Sequence, residues 1–219
     1  MTEPSTSSST APRWQRRPEA RPEEILDAAF ATFGELGFAR TKIDDVARLA
    51  GVSKGTVYLY FDSKEALFRA MVSARIVAPL TEAEEFVRTH QGPARVLLVE
   101  LIRRTYTRLR GDQMARIARI VQGELGSFPE LAQFYFDEVI LRARGLFDTV
   151  IGRGIEAGEF RPEARAFAPR ALCSLLVHTA QLQCFFQRCD PDALTDERAI
   201  EGLIDTVLYG VIARPAART

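Results

Sequence analysis

At 219 residues with 47% hydrophobic content, the chain is long enough for one domain of modest size or two small ones with a proper core. Lys plus Arg equals Asp plus Glu at 29 each, which argues against a protein coated in nucleic acid but leaves room for one basic face. The sequence holds no apolar run of membrane-spanning length, no signal-peptide pattern at its start and three cysteines without metal-type spacing, which together read as a cytoplasmic protein.

Residues 1–20 read as a disordered N-terminal arm. The first twelve are rich in Ser, Thr and Pro. Arg13, Arg16, Arg17 and Arg21 follow against Glu19 alone. Such an arm is either a solvated leader or a segment that lies on a DNA backbone or enters the minor groove. A helix is predicted from Pro22, a first-turn proline, to Leu36. Leu26, Ala29, Phe30 and Phe33 make its buried stripe, Gly37 ends it, and Phe38 packs beneath the next pair of helices.

That pair spans Thr41 to Lys64. Ile43, Val46, Ala47 and Ala50 recur at helical spacing. Thr41 is the predicted cap, with Asp44 in capping-box position, and Gly51 supplies the left-handed exit. Ser53 caps a second helix running to about Phe61. A short helix, a Gly turn and a second short helix form a helix-turn-helix. At about 100° per residue, Val57 and Phe61 share the inward face. Gly55 and Leu59 point the opposite way, flanked by Lys54, Thr56 and Tyr58. A solvated helix would prefer Glu, Lys and Gln there, whereas a major groove suits this face. Gly55 admits the backbone, Leu59 can meet a thymine methyl, and Thr56, Tyr58 and Tyr60 offer hydroxyls. Thr41, Lys42, Ser53 and Lys64 complete the expected DNA-contact set, Lys64 holding the backbone from the next helix.

The segment AGVSKGTVYLYFDSKEAL, Ala50 to Leu67, resembles the helix-turn-helix of the TetR family of bacterial transcriptional regulators. The likeness extends upstream to Pro22, and Tyr60 stands where the family often has His. The resemblance implies an all-α homodimer that binds a near-palindromic operator and is released by a small molecule. It divides the chain into a head at 21–66, with three helices, and a ligand-binding and dimerisation body at 67–219.

The fourth helix starts at Ser63, buries Leu67, Ala70, Met71 and Ala74, and is expected to stop near Ala78, before Pro79. Its place makes it the connector between head and body. Glu82 to Thr89 continues that connector or forms a short helix, and Gly92-Pro93 breaks it. Further helices are predicted over Pro93–Arg110 and Asp112–Gln122. Ser127 and Glu130 give a second capping-box signal before a long helix to about Ala157, which Gly152 and Gly154 weaken or bend. Glu130 to Pro162 also resembles ligand-domain segments of TetR-type proteins. The last two helices, about Pro162–Arg188 and Asp196–Arg214, are so apolar that a two-fold partner is the economical way to cover them. Leu172, Leu175, Leu176, Thr179, Leu182, Leu203, Val207, Leu208 and Val211 are the expected dimer interface, with an ordinary intrachain core as the plain alternative. Two heads about one DNA turn apart, roughly 34–36 Å, would read both halves of a palindrome.

Phe86, Tyr106, Met114, Phe134, Phe147, His178, Gln181 and Cys184 are the candidate lining of a mostly apolar effector pocket. For any single one of them, a plain core or interface residue is the favoured reading. No cofactor and no metal site is expected. The two histidines, His90 and His178, stand far apart, and no P-loop, dinucleotide-binding glycine pattern or zinc spacing supports an enzyme. A redox switch on Cys173, Cys184 and Cys189 is the other alternative, although Cys184 and Cys189 lie about 140° apart round a helix, awkward for a disulfide.

Overall fold

The computed structural model describes residues 21–211. The expected basic arm and the end of the last predicted helix lie outside them. Within them the chain is helical, with no β-strand among the described residues, in agreement with the all-α expectation. No helix there is long and apolar enough to cross a membrane. The helices are α1 (Arg21–Leu36), α2 (Ile43–Leu49), α3 (Lys54–Tyr60), α4 (Lys64–Val72), α5 (Ala78–Thr89), α6 (Ala94–Leu109), α7 (Asp112–Gly123), α8 (Pro129–Tyr135), α9 (Arg142–Glu156), α10 (Ala164–Phe186) and α11 (Asp196–Val211).

Two joints differ from the sequence expectation. The fourth helix does not stop before Pro79. It passes through a π turn at Ser73–Val77 and continues as α5 to Thr89. Proline has no N–H to give, and its ring would press on the carbonyl four residues back, at Arg75. Widening the helix there removes the conflict without ending the rod. A second π turn, Phe136–Leu141, joins α8 to α9 in the same way and packs against the first. Ser127 also fails to cap. It ends a 3-10 turn, and α8 opens at Pro129, a residue that needs no cap on its nitrogen.

Side chains fasten these rods. In the first π turn, Arg75 donates to Asp27 at 2.6 Å and to Glu23 at 2.9 Å on α1. Just after the second, Arg142 grips Glu84 of α5 at 2.6 and 2.8 Å and the Thr81 hydroxyl at 2.8 Å.

Two cores result. One holds α1 to α4 together and runs on into Ile117 and Ile120 of α7, then Leu125, Leu131, Tyr135 and Val139. Its centre is an aromatic knot: Phe38 meets Phe33, Phe68 and Phe128 with ring centroids 5.6, 5.2 and 4.8 Å apart. Each such buried ring contributes about 1.5–3 kcal/mol from area alone. Because Phe128 belongs to the body, the base of the head is built partly from body residues. The second core joins α5, α6, α9, α10 and α11, and Leu80 touches both. Gly152 and Gly154 do not interrupt α9. They give room to the chain returning behind it, where a side-chain carbon on Gly154 would fall 2.1 Å from the Phe160 ring.

Candidate nucleic-acid interface and effector body

The reading helix is set from both ends. Gly51 at φ 65° turns the chain out of α2. Ser53 then caps α3 as predicted, its hydroxyl accepting from the Thr56 N–H at 3.1 Å. Val57 points inward and is fully buried, and Phe61 is half-buried beside it. The opposite face is open: Gly55 is exposed, Leu59 is 78% exposed and Tyr58 44%. Nothing but the Ser53 hydroxyl lies within 4 Å of where a Gly55 side chain would begin, so the backbone there is bare. Lys42, Ser53, Lys54 and Tyr60 are exposed around it, and Thr56 is half-buried with its hydroxyl 2.8 Å from that of Ser53.

Lys54 donates to Asp44 of α2 at 2.7 Å. That hydrogen bond holds the Asp44 carboxyl below its usual range and raises the Lys54 ammonium. Both groups are solvent-facing, so an incoming phosphate can exchange for the carboxylate at little cost.

Two expected contacts are turned inward. Thr41 is buried, and its hydroxyl donates to the Gly37 carbonyl at 2.7 Å. The cap of α2 is Lys42 instead, whose N–H donates to Asp45, not Asp44, at 3.2 Å. Lys64 does not reach outward either. Its Nζ donates to the carbonyls of Phe38 at 2.9 Å, Thr41 at 3.2 Å and Ala39 at 3.4 Å, and lies 4.5 Å from the Phe38 ring centre. An ammonium has three protons, and here all three face the loop that joins α1 to α2.

The structure also adds residues that the sequence did not reveal. Glu124 at the end of α7 accepts from the Ala39 N–H at 2.8 Å, and Arg119 donates to the Gly34 carbonyl at 3.2 Å. Both partners lie about 85 positions away, beyond any local pattern. They lock α7 of the body to the end of α1 in the head.

The eight candidate pocket residues do not gather round one cavity. Met114 and Phe134 pack half-buried on the first core. Tyr106 and Phe147 sit inside the second, and Phe86 lies on its edge beneath the Arg104 guanidinium at 3.9 Å. His178 is exposed. Gln181 accepts from Gln122 at 2.6 Å. Cys184 receives a hydrogen bond from Arg110 at 3.1 Å, while Arg110 also binds Asp196 at 2.7 Å and Gln187 at 3.1 Å. The Tyr106 hydroxyl donates to Gln183 at 3.1 Å, and burial pushes it up to about 12. This network ties α6 to the start of α11 and the end of α10. An open groove of about 400 Å³ lies elsewhere, between Arg95, Val96, Val99 and Glu100 of α6 and Leu208 of α11.

The expected interface residues split in two. Leu172, Leu176, Leu203 and Val207 belong to the chain's own core and cannot face a partner. Leu175 and Leu182 are exposed, and Thr179 and Leu208 half-buried. The Val211 side chain lies outside the described residues. Phe167 and Phe186 extend the exposed stripe along α10, and Tyr209 stands 83% exposed on α11. The cysteines are all free, Cys173 and Cys184 half-buried and Cys189 exposed.

Residues 25–71 match the family described as bacterial regulatory proteins, tetR family, and residues 96–210 match the AefR-like transcriptional repressor C-terminal domain. The chain is 29% identical over 148 residues to the fatty acid metabolism regulator protein of Bacillus subtilis (strain 168), covering 67% of this chain and 73% of that one. It is 35% identical over 92 residues to the regulator RutR of Escherichia coli (strain K12), covering 36% and 43%. Its fold matches that of FadR from Bacillus subtilis in complex with stearoyl-CoA, with a TM-score of 0.68 at 24% identity over 83% of this chain and 97% of that one. A regulator from Saccharomonospora viridis in complex with choline matches with a TM-score of 0.73 at 21% identity over 90% and 100%.

Proposed function

The chain belongs to the TetR family and is a transcriptional regulator, not an enzyme; from that premise we propose that it is a cytoplasmic, homodimeric repressor of a palindromic operator, released by a small, mostly apolar effector. The observation that carries the reading is the outward face of α3. Gly55, Tyr58 and Leu59 are left bare where a solvated helix would carry charge. Lys42, Ser53, Lys54, Thr56 and Tyr60 surround them and supply phosphate and base-edge contacts. Thr41 and Lys64 leave the contact set and support the loop behind it.

The dimer uses the exposed stripe of α10, Phe167, Leu175, Leu182 and Phe186, with Tyr209 of α11 beside it. A row of large apolar side chains at helical spacing is a surface that a second copy covers. Dividing the chain near residue 66 keeps the reading helices in the head, although their core is finished by α7 and α8. An effector that shifts α7 or α8 therefore shifts the floor of the head, through Glu124, Arg119 and Phe128. DNA and effector then favour different arrangements, and each weakens the other. The likeness over 148 residues to a fatty acid metabolism regulator supports an effector with an acyl chain.

The test is selection of bound sequences from random DNA, followed by footprinting with the wild type and Tyr58→Ala. The expected product is a short palindrome. Tyr58→Ala lowers operator affinity at least about tenfold, the scale of one lost base contact, and leaves helicity unchanged because the ring is outside the core. Selection of no common sequence, or full affinity in Tyr58→Ala, refutes the docking.

A further inference from the structure

Six arginines of the described residues are half-buried: Arg69, Arg75, Arg110, Arg142, Arg144 and Arg153. Five have partners. Arg69 pairs with Glu130, Arg75 with Glu23 and Asp27, Arg110 with Asp196, and Arg142 with Glu84, while Arg153 donates to the Val87 carbonyl at 2.7 Å. Arg144 has none among the described residues, and its Nε is wholly buried. A guanidinium cannot shed its charge in a protein. Withdrawing part of it from water without an acceptor carries a cost. Arg144 is thus the one half-buried arginine here that has no acceptor among the described residues.

The surroundings say what kind of anion. The Arg144 guanidinium lies 5.7 Å from the centre of the Phe136 ring. Leu141, three residues before it, shares its face of the helix. Phe136 and Leu141 are both exposed, at the two ends of the π turn. Across from Arg144, α10 offers Cys173, whose thiol burial pushes up to about 11 and which supplies no negative charge. The position thus pairs a half-buried cation that lacks an acceptor with an apolar lip.

We propose that Arg144 anchors the anionic headgroup, carboxylate or phosphate, of an amphiphilic effector whose apolar chain lies over Phe136 and Leu141. This rests on the ligand-released regulator reading and assigns its effector a chemical class. The position also explains how binding would be felt. The π turn beside Arg144 packs on the π turn of the connector, and Arg142, two residues earlier, holds Glu84. An anion drawn to Arg144 pulls on the joint that sets the connector's direction.

The test uses the full-length protein without DNA, so its outcome is separate from that of the operator selection. Dodecanoate, dodecyl phosphate and dodecanol share one chain and differ in headgroup. Binding of each is measured by titration calorimetry to wild type and to Arg144→Met, with Arg144→Gln in reserve should the Met variant not fold. At least one of the two anions is expected to bind wild type at least roughly tenfold more tightly than dodecanol, and the variants to lose that preference. Which anion wins separates carboxylate from phosphate. In the unliganded state, Arg144→Met is expected to melt no lower than wild type, because it removes an unpaired charge. Equal binding of all three probes to wild type overturns the proposal, as does a preference that survives in the variants. A lower melting temperature together with dissociation of the dimer in Arg144→Met also overturns it, since Arg144 would then be paired across the interface.

Discussion

Replacing Lys64 by Met keeps the apolar stem and deletes the ammonium, which isolates its polar role. Two of its hydrogen bonds, to the Phe38 and Thr41 carbonyls at 2.9 and 3.2 Å, are partly buried. At about 1–1.5 kcal/mol each they sum to roughly 2–3 kcal/mol. The third, to Ala39 at 3.4 Å, is exposed and long and adds little. The stacking on Phe38 adds about 0.5 kcal/mol. The expected loss is therefore about 3 kcal/mol, a large share of a typical stability of about 5–15 kcal/mol. With a urea m-value of about 2.5 kcal/mol/M, the midpoint falls by roughly 1 M. Urea titration followed by circular dichroism measures it. A lysine placed on a DNA phosphate would behave otherwise. Its loss would leave the urea midpoint where it was and flatten the slope of log affinity against log salt by about 0.9. An unchanged midpoint with that flattened slope refutes the inward assignment.

Other substitutions probe the remaining joints. Gly154→Ala drives a methyl to within 2.1 Å of the buried Phe160 ring and should cost about 3 kcal/mol, roughly 6–12 °C in a thermal melt; a shift under about 2 °C would show that the return behind α9 is loosely packed. Arg142 holds the Glu84 carboxyl below its ordinary value of 4.5, so the stability from this pair is full above that value and fades as pH falls through the lower, folded one. Glu84→Gln should accordingly reduce the loss of stability between about pH 7 and about pH 3, read as urea midpoints at the two pH values; identical pH profiles would remove the pair from the account. Leu175→Asp with Leu182→Asp alters side chains 40% and 44% exposed, so the single chain should fold while the dimer separates in sedimentation. A dimer that persists would place the interface off α10.

The fold class and the reading helix were legible from residue order because both depend on neighbours within four positions. Ser53 capped α3 as predicted, and the opposed directions of Val57 and Leu59 follow from the helical period alone. The C-terminal end was not legible in the same way. α10 is apolar nearly all round, so its period could not tell Leu172 and Leu176, which face the chain's own core, from Leu175 and Leu182, which face outward. Nor could it mark Arg144, whose distinction is only that no hydrogen-bond or ion-pair partner meets it among the described residues.

Local sequence thus determined that the chain is helical, which residues α3 presents together and which family the chain resembles. Packing decided where long side chains go. Lys64 reaches back 23 to 26 positions to three carbonyls, Glu124 spans 85 to Ala39, and the helix carrying Pro79 continues because a π turn gives the ring room. A helical period is set within a single turn, whereas the partner of a flexible charged side chain is set by whichever distant segment the fold brings within about 3 Å.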